Sequence, residues 1–397
     1  MKIVFQKDVI NEAVGPLMSG VSTKMTLAST TGILIEASLP GTCVLTTFDL
    51  EKGVRLRIEA DVIEPGSAIV NATRFSQIVR VMEGGDITMT VDDRMGVSIV
   101  SGRAAHTMTA LRASDFPEIP TIALTGGVMA TGVRANGAEM PRKTLRTLMS
   151  KCMYAMGVND QRPVLNGLYF SLESGKMTVV SCDSFKMATS ATNPDTCRIA
   201  APEGAEPTKD CKFILPNKAV SELYKLLSDK DEEATVSFFL TRRAIVFIMG
   251  DITFFCKLIE GEYIDYNRII LRNHRIFVRV DREALITSLE HAALITEERV
   301  AGSVRSHVRL EVEGGMLKIS ATSGTGSAYD ELPVNHEGND LIIAFNNRYL
   351  IDSLRACGAD TVRISLSSPL TSINIEPEDC EEEGRDLFML LPVRMKD

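Results

Sequence analysis

Histidine and cysteine side chains are the groups in this 397-residue sequence whose types could hold a metal ion. No CxxC pair occurs, and no HExxH or zinc-finger spacing relates the five histidines, His106, His274, His291, His307 and His336. Protein zinc sites use such closely spaced ligands. The sequence therefore predicts no metal site and no bound cofactor.

Glycine-rich stretches are the next candidates, because backbone amides in such loops bind phosphate groups. Gly175-Lys176 resembles part of a phosphate-binding loop, but Phe170 stands where that loop needs its first glycine and Met177 follows the lysine. The stretch SGTGS lacks the strand-to-helix setting of a dinucleotide loop, and no GxSxG occurs. We interpret Gly175-Lys176 as a hairpin turn.

A single carboxylate, Asp183 in the stretch SCDSF, could be drawn as a catalytic acid. Aspartate between two strands more often forms a turn, and that is the favoured interpretation. No catalytic residue is therefore predicted, and the chain is expected not to be an enzyme. An enzyme with an atypical site stays open as an alternative.

Composition limits the class of protein. A chain of 397 residues with 45% hydrophobic content is long enough for two or three domains. Its first 15 residues are too polar for a signal peptide and no apolar run is long enough to span a membrane, so we expect a soluble, cytoplasmic protein. Eight scattered cysteines are expected to be reduced.

Three short segments share one helical pattern, with apolar or small residues at positions i, i+3, i+4 and i+7. They are RFSQIVRVM (74–82), AVSELYKLL (219–227) and YLIDSLRAC (349–357). Their first apolar residues, Phe75, Val220 and Leu350, lie 145 and 130 residues apart, close to a third of the chain. This spacing predicts three copies of one structural unit.

The surroundings of these helices repeat as well. Each follows a strand-like segment and precedes an alternating hairpin, and another helix opens each unit, at 7–18, 141–156 and 281–294. The sequence thus predicts an α+β fold of three repeated domains, each with two helices and antiparallel sheets. We place the domains at 1–126, 127–270 and 271–397.

Basic residues recur on the exposed side of the three matched helices. Position +5 from the first apolar residue holds Arg80, Lys225 and Arg355, and position −2 holds Thr73, Lys218 and Arg348. Any one could be an ordinary solvated residue, but recurrence in a chain of net charge −9 favours a surface for a polyanion. The opening helix of the second unit adds Arg142, Lys143, Arg146 and Lys151.

Taken together, the chain resembles the bacterial DNA polymerase III beta subunit, a sliding clamp. The resemblance lies in NGLYFSLESGKMTVVSCDSFKMA (166–188), EGEYIDYNRII (260–270), SDFPEIP (114–120) and FMLLPVRM (388–395). It implies a head-to-tail homodimer, a ring of inner helices and outer sheets around duplex DNA without sequence readout. The residues expected to contact DNA are Lys24, Arg74, Arg80, Arg142, Lys143, Arg146, Asn159, Lys218, Lys225, Arg348 and Arg355. Lys151 is not among them.

The resemblance also implies partners: the DNA polymerase III alpha subunit, a separate clamp loader, and other proteins with a clamp-binding motif, but no membrane. Their peptides would bind an apolar pocket formed by Leu165, Cys182, Phe185, Lys186, Met187, Ile264, Arg268, Ile269, Met389, Leu391 and Val393. We expect Lys186 and Arg268 at its rim, and Met389, Leu391 and Val393 facing outward while Phe388 and Leu390 face the core.

Cys182, Phe185, Lys186 and Ile264 depart from the family's usual residues at their positions, which affects the expected partner preference. For the subunit contact the resemblance implies strand 103–111 of one copy against helix end 291–296 of the other. The residues assigned to it are Arg103, His106, Met108, Leu294 and Ile295. A clamp-like protein-interaction module that does not encircle DNA is the alternative function.

Overall fold

The computed structural model describes residues 1–22, 27–125, 136–199, 210–228, 231, 233–296, 299–300, 303–304, 307–324, 326–379 and 385–395. The α-helices in these ranges are α1 (Lys7–Leu17), α2 (Ala72–Val81), α3 (Thr121–Leu124), α4 (Arg142–Cys152), α5 (Asn217–Leu226), α6 (Arg282–Thr296) and α7 (Asn347–Cys357). Within the described ranges, no helix is both long and apolar enough to cross a membrane.

The strands of the first half of the chain are β1 (Lys2–Gln6), β2 (Gly32–Ser38), β3 (Thr42–Phe48), β4 (Lys52–Glu59), β5 (Asp61–Glu64), β6 (Gly66–Asn71), β7 (Asp86–Val91), β8 (Gly96–Ser101), β9 (Ala104–Thr109), β10 (Asn136–Pro141), β11 (Gly167–Glu173), β12 (Lys176–Cys182), β13 (Lys186–Ala191) and β14 (Arg198–Ile199).

The strands of the second half are β15 (Asp210–Pro216), β16 (Thr235–Leu240), β17 (Ala244–Met249), β18 (Ile252–Lys257), β19 (Ile276–Asp281), β20 (Arg299–Val300), β21 (Ser303–Val304), β22 (His307–Glu313), β23 (Met316–Thr322), β24 (Ser327–Pro333), β25 (Asn335–Glu337), β26 (Leu341–Asn346), β27 (Thr361–Leu366), β28 (Ile373–Pro377) and β29 (Asp386–Leu390).

These elements form two compact units. Unit 1 comprises Met1–Lys143, Cys197–Cys211 and Ser221–Leu258. It contains a five-stranded sheet of order β5-β1-β7-β8-β9 and a nine-stranded sheet of order β14-β10-β16-β17-β18-β4-β3-β2-β6. The antiparallel pairing of β18 with β4 places Phe254 opposite Val54, so strands of the first and second sequence repeats share one continuous sheet.

Unit 2 comprises Thr144–Thr196, Lys212–Val220 and Ile259–Asp397. Its nine-stranded sheet has the order β15-β11-β12-β13-β29-β28-β27-β19-β25, and a four-stranded sheet has the order β24-β23-β22-β26. Helix α6 packs on α7, β23 and β24, while α7 also packs on β28 and β29. Pairing of β13 with β29 joins strands of the second and third repeats in one sheet.

Local sequence explains where the matched helices begin and end. The side chain of Asn71 caps α2 by accepting a hydrogen bond from the Arg74 amide, and Asn346 caps α7 in the same way through Tyr349. Helix α7 ends at Gly358, whose φ of 70° is the left-handed conformation that glycine adopts without strain. The predicted apolar stripe of α2 is largely buried, with Phe75 and Val79 inside.

The predicted α+β fold of repeated units is confirmed. Helices α1, α4 and α6 open the repeats, and α2, α5 and α7 follow β6, β15 and β26 as expected. The hairpins β7–β8, β16–β17 and β27–β28 follow those helices. The domain limits at 126 and 270 stay a prediction.

The turn at Gly175-Lys176 agrees with the interpretation made from the sequence. Glu173 pairs with Lys176 across the β11–β12 hairpin, and the positive φ angles of Ser174 and Gly175 form its turn. Seven cysteines, all of those that the structure describes, are buried and free of disulfide bonds. Cys380 lies outside the described residues.

Candidate functional site

An apolar cluster in unit 2 gathers five of the eleven residues predicted to bind peptides, Leu165, Cys182, Met187, Ile264 and Met389. Its buried members are Leu165, Val180, Cys182, Met187, Leu387 and Met389, and the half-buried side chains packed against them are Val164, Tyr169, Tyr263, Ile264, Tyr266 and Ile270. Apolar surface with a few convergent polar groups is the usual lining of a binding site. We call this set the pocket cluster.

Strand pairing explains how distant segments meet in the pocket cluster. The antiparallel register of β13 and β29 sets Met187 opposite Met389 and Lys186 opposite Leu390. Side chains of paired residues share one face of a sheet, so the two methionines lie side by side with Leu165. The chain end therefore completes a surface that the second repeat begins.

The turn before β13 is organised by Asp183. Its Oδ1 accepts hydrogen bonds from the amides of Phe185, at 2.7 Å, and Lys186, at 2.8 Å. This geometry confirms the turn-forming role expected of this aspartate. The turn projects Phe185 outward, where 56% of its surface is exposed.

Lys186 requires a correction, because its side chain does not lie at a rim. Only 7% of its surface is exposed, and its ammonium group pairs with the Asp183 carboxylate. Its Nζ also lies 4.3 Å from the centroid of the Tyr349 ring, within the range of a cation–π contact. Lys186 thus holds the turn and an aromatic neighbour in place and has little freedom to meet a ligand charge.

Sequence reasoning missed Tyr349, at the start of α7. Its ring lies 6.2 Å from that of Phe185, with an angle of 35° between the planes. Tyr169 and Tyr263 form a second aromatic pair, stacked at 4.7 Å, against the pocket cluster. Period-two and helical patterns mark such residues as ordinary packing positions, and nothing in the sequence separates them from other core aromatics.

The segment before β19 supplies the exposed side of the site. Ile264 packs against the pocket cluster, whereas 42% of Ile269 is exposed. The Arg268 guanidinium pairs with Asp265 at 2.8 Å and keeps 87% of its side chain in solvent. Arg268 is thus free to meet solvent, as a rim position requires, and its place at the rim of a peptide site stays a prediction.

The residues after β29 form an extended tail, residues 391–395. The Leu391 amide donates to the Phe185 carbonyl at 2.9 Å, and the Val393 amide donates to the Ala344 carbonyl at 2.8 Å. Leu391 and Val393 are 41% and 38% exposed. Met389 lies against Leu165, Cys182 and Met187, on the side of the strand that the sequence assigned to it, but only 4% of it is exposed. The accessible part of the segment therefore begins at Leu391.

Burial controls the chemistry of the one thiol in the pocket cluster. Desolvation by burial, together with the nearby Asp183 charge, raises the pKa of Cys182 to about 11. A thiol with such a pKa is almost entirely protonated near neutral pH. Cys182 therefore contributes packing to the cluster and no nucleophile.

The predicted basic positions lie on the solvent side of their helices. Arg80, Lys218, Lys225, Arg348 and Arg355 are exposed, as are Arg74, Lys143 and Asn159, while Arg142 and Arg146 are half-buried. Lys24 lies outside the described residues. Lys225 pairs with Glu222 at 3.0 Å and Arg355 with Glu290 at 2.5 Å, both at the surface.

Lys151 does not belong with these exposed cations. Its Nζ lies 2.6 Å from Oδ2 of Asp386, and only 23% of the lysine side chain and 9% of the aspartate side chain are exposed. The expectation that Lys151 adds to a cationic surface is therefore wrong. A buried partner on β29 neutralises it.

The residues assigned to the subunit contact differ in exposure. Strand β9 is an edge strand of its sheet, as the predicted contact requires. Arg103, just before the strand, is exposed, and His106, within it, is half-buried. Leu294 is 82% exposed on α6 and Ile295 is half-buried. Met108, with 9% exposure, is already covered within unit 1 and offers little surface to a partner.

Three family models match the chain in consecutive segments. They describe the N-terminal, central and C-terminal domains of the DNA polymerase III beta subunit and match residues 1–120, 139–265 and 267–389. Curated relatives named "Beta sliding clamp", from Staphylococcus epidermidis and Staphylococcus aureus, are each 22% identical over 404 residues. Each alignment covers 99% of this chain and 99% of the relative.

Solved structures show the same similarity. The DNA polymerase III subunit beta from Pseudomonas aeruginosa is 25% identical with a TM-score of 0.86, and both chains are covered completely. The DNA polymerase sliding clamp from Bacillus subtilis, 23% identical, has a TM-score of 0.87 with complete coverage and shares the fold.

Proposed function

Because the chain belongs to the DNA polymerase III beta subunit family, we propose that it is a DNA sliding clamp, the processivity factor of a replicative DNA polymerase. It encircles duplex DNA and tethers the polymerase through the pocket cluster and the tail. The observation that carries this function is the ordered match of all three beta-subunit domains along nearly the whole chain.

Helices α2, α5 and α7 supply the DNA-facing charges. The exposed cations at their matched positions, Arg80, Lys225 and Arg355, lie opposite the buried stripes, so they contact phosphate without taking part in the core. Such contacts do not read sequence, which suits a protein that must slide. Retention comes from closure around the duplex, so a net charge of −9 is compatible with long residence on DNA.

The pocket cluster supplies the site for partner peptides. The solvent-exposed apolar side chains that border it are Leu391, Val393, Phe185 and Ile269, and Arg268 is an exposed charge beside them. The polymerase alpha subunit, the clamp loader or another partner supplies a short peptide. Its apolar side chains cover these residues. Met187 and Met389 are buried in the cluster, and because methionine is flexible and polarizable, the packing next to this surface can adjust to several peptide sequences.

Closure of the ring joins two copies head to tail. Strand β9 and strand β24 are both edge strands, and none of the β24 side chains is buried in the single chain. Arg103 beside β9 and Glu331 on β24 have opposite charges, and the exposed Leu294 lies on the helix that packs on β24. Pairing of β9 in one copy with β24 in the other would satisfy the open backbone groups of both edge strands and cover Leu294.

The ring holds three domains in each copy, with boundaries at 126 and 270, and acts in the cytoplasm where bacterial DNA lies. Family models that end at 120, 265 and 389 support these limits. The role is non-catalytic, so a separate ATP-driven loader opens the ring. Retention on circular but not on linear duplex tests this function, and equal loss from both forms would favour a protein-interaction module that does not encircle DNA.

A further inference from the structure

A second concave surface lies in unit 2, next to the tail and outside the pocket cluster. It is an open groove of about 690 Å³ between β22, the start of β26, the turn at Pro369 and the end of the tail. The lining residues that matter here are Arg309, Glu311, Glu313, Asp340, Ile342 and Met395. Apart from Met395, the last residue of the tail, none of them belongs to the proposed peptide site.

Exposed apolar side chains connect the pocket cluster with this groove. Backbone hydrogen bonds fix the tail at Phe185 on one side and at Ala344 of β26 on the other. Along this path the exposed fractions are 56% for Phe185, 41% for Leu391, 38% for Val393, 42% for Met395 and 37% for Ile342. A continuous stripe of this kind marks an interaction surface more than scattered single residues do.

The backbone of β26 also has room for another strand. This strand is an edge of the four-stranded sheet, and the Ala344 carbonyl accepts a bond from the tail. In an antiparallel sheet alternate residues direct their N–H and C=O groups to the same side, so those of Ile342 point outward as well. Among the described residues they have no backbone partner beyond the sheet, which leaves a short open edge.

The charge of the groove favours a basic ligand. Three carboxylates, Glu311, Glu313 and Asp340, line it together with a single arginine, Arg309. Arg309 pairs with Glu311 at 3.0 Å, and Lys318 pairs with both glutamates. Asp340 has no ion pair with any residue in the described part of the chain, so one negative charge stays uncompensated beside the open edge.

We propose, on the basis of the function above, that this groove binds the basic, extended continuation of a partner segment whose apolar core occupies the pocket cluster. The continuation follows the tail, adds main-chain hydrogen bonds at Ile342, and places lysine or arginine side chains near Asp340 and Glu313. Edge-strand addition of this kind gives affinity through the backbone and selectivity through flanking side chains.

Fluorescence anisotropy with five labelled probes tests this inference. The first is a short peptide with glutamine, leucine and phenylalanine. Two others carry a six-residue extension of alternating lysine and valine at one end or the other, and the last two carry glutamate and valine in the same places. We expect the lysine extension at one end to tighten binding by about threefold to tenfold, and the glutamate extension to give no gain.

The double variant Glu313→Lys/Asp340→Lys is expected to abolish the gain while it binds the short peptide normally. The matched control, Asp61→Lys/Glu118→Lys, changes the net charge equally at exposed positions in unit 1 and is expected to keep the gain. Two results would overturn the groove proposal and leave the proposed function standing. In one, the short peptide binds but neither lysine extension tightens binding. In the other, the lysine extension still tightens binding to Glu313→Lys/Asp340→Lys. If the short peptide fails to bind wild-type protein, the proposed function and this inference fall together.

Discussion

The Lys151 ammonium group on α4 lies 2.6 Å from the Asp386 carboxylate on β29, and the Ser190 hydroxyl donates to the other oxygen of that carboxylate at 2.5 Å. The pair joins residues 235 positions apart in the chain. Because β29 leads directly into the tail, this ion pair fixes the strand from which the exposed Leu391 extends.

Asp386→Ala is expected to lower the free energy of unfolding of the protein by about 2 to 4 kcal/mol, because it leaves a mostly buried ammonium group without its partner. Chemical denaturation measures this. Glu222→Ala removes the partner of the exposed Lys225 and is expected to cost less than about 1 kcal/mol. Equal stability of Asp386→Ala and the wild type would contradict the role given to this pair.

Leu391→Ala is expected to weaken binding of a short clamp-binding peptide by about tenfold, since an exposed apolar side chain that a ligand covers is lost. Its unfolding free energy should stay near that of the wild type. Met389→Ala, at a buried position, is expected to lower unfolding free energy by about 2 to 4 kcal/mol instead.

Isothermal titration and thermal denaturation separate these two effects, and Val81→Ala, at a 71% exposed position of α2, serves as the matched surface control. Undiminished peptide affinity in Leu391→Ala would place the peptide site elsewhere.

Leu294→Asp is expected to convert the dimer to monomers at micromolar concentration, because it sets a charge in an apolar seam while it leaves the single chain folded. Sedimentation velocity measures the change. Val81→Asp introduces the same charge at a similarly exposed position and should leave the dimer intact. A Leu294→Asp protein that still sediments as a dimer would exclude this end of α6 from the subunit contact.

Reversal of Arg80, Lys225 and Arg355 to Glu is expected to shorten retention on DNA several-fold, most clearly at low salt where phosphate contacts are least screened. Folding should be unaffected because all three are exposed. The control triple Arg94→Glu/Arg242→Glu/Lys257→Glu has the same charge change at exposed positions away from the matched helices. Equal losses in both triples would point to net charge rather than to these helices.

Periodicity accounts for what could be predicted from the sequence. Helical and period-two patterns placed the helices and hairpins correctly, and Asp183 behaved as a turn residue, because these features depend on neighbours within a few positions. The matched cations Arg80 and Arg355 are exposed for the same reason.

Tertiary pairing accounts for what could not be predicted. The sequence pattern predicts Lys186 and Lys151 at the surface. Each is largely buried instead, because its charge pairs with a carboxylate, that of Asp183 or Asp386. Met389 obeys the strand alternation and lies against Leu165 as expected, but the packing around it leaves only 4% of it exposed, which the alternation does not predict. Tyr349 reaches the site only because α7 starts beside the Phe185 turn, a long-range contact without a local signature.

Topological trapping tests the clamp function most directly. Protein at high concentration is mixed with a linear duplex so that rings enter over its ends, the duplex is ligated into a circle, and free protein is removed by gel filtration in high salt. The clamp function predicts that protein stays with the circle and is released when a single restriction cut opens it. Loss from the uncut circle as fast as from the linear duplex would contradict encirclement.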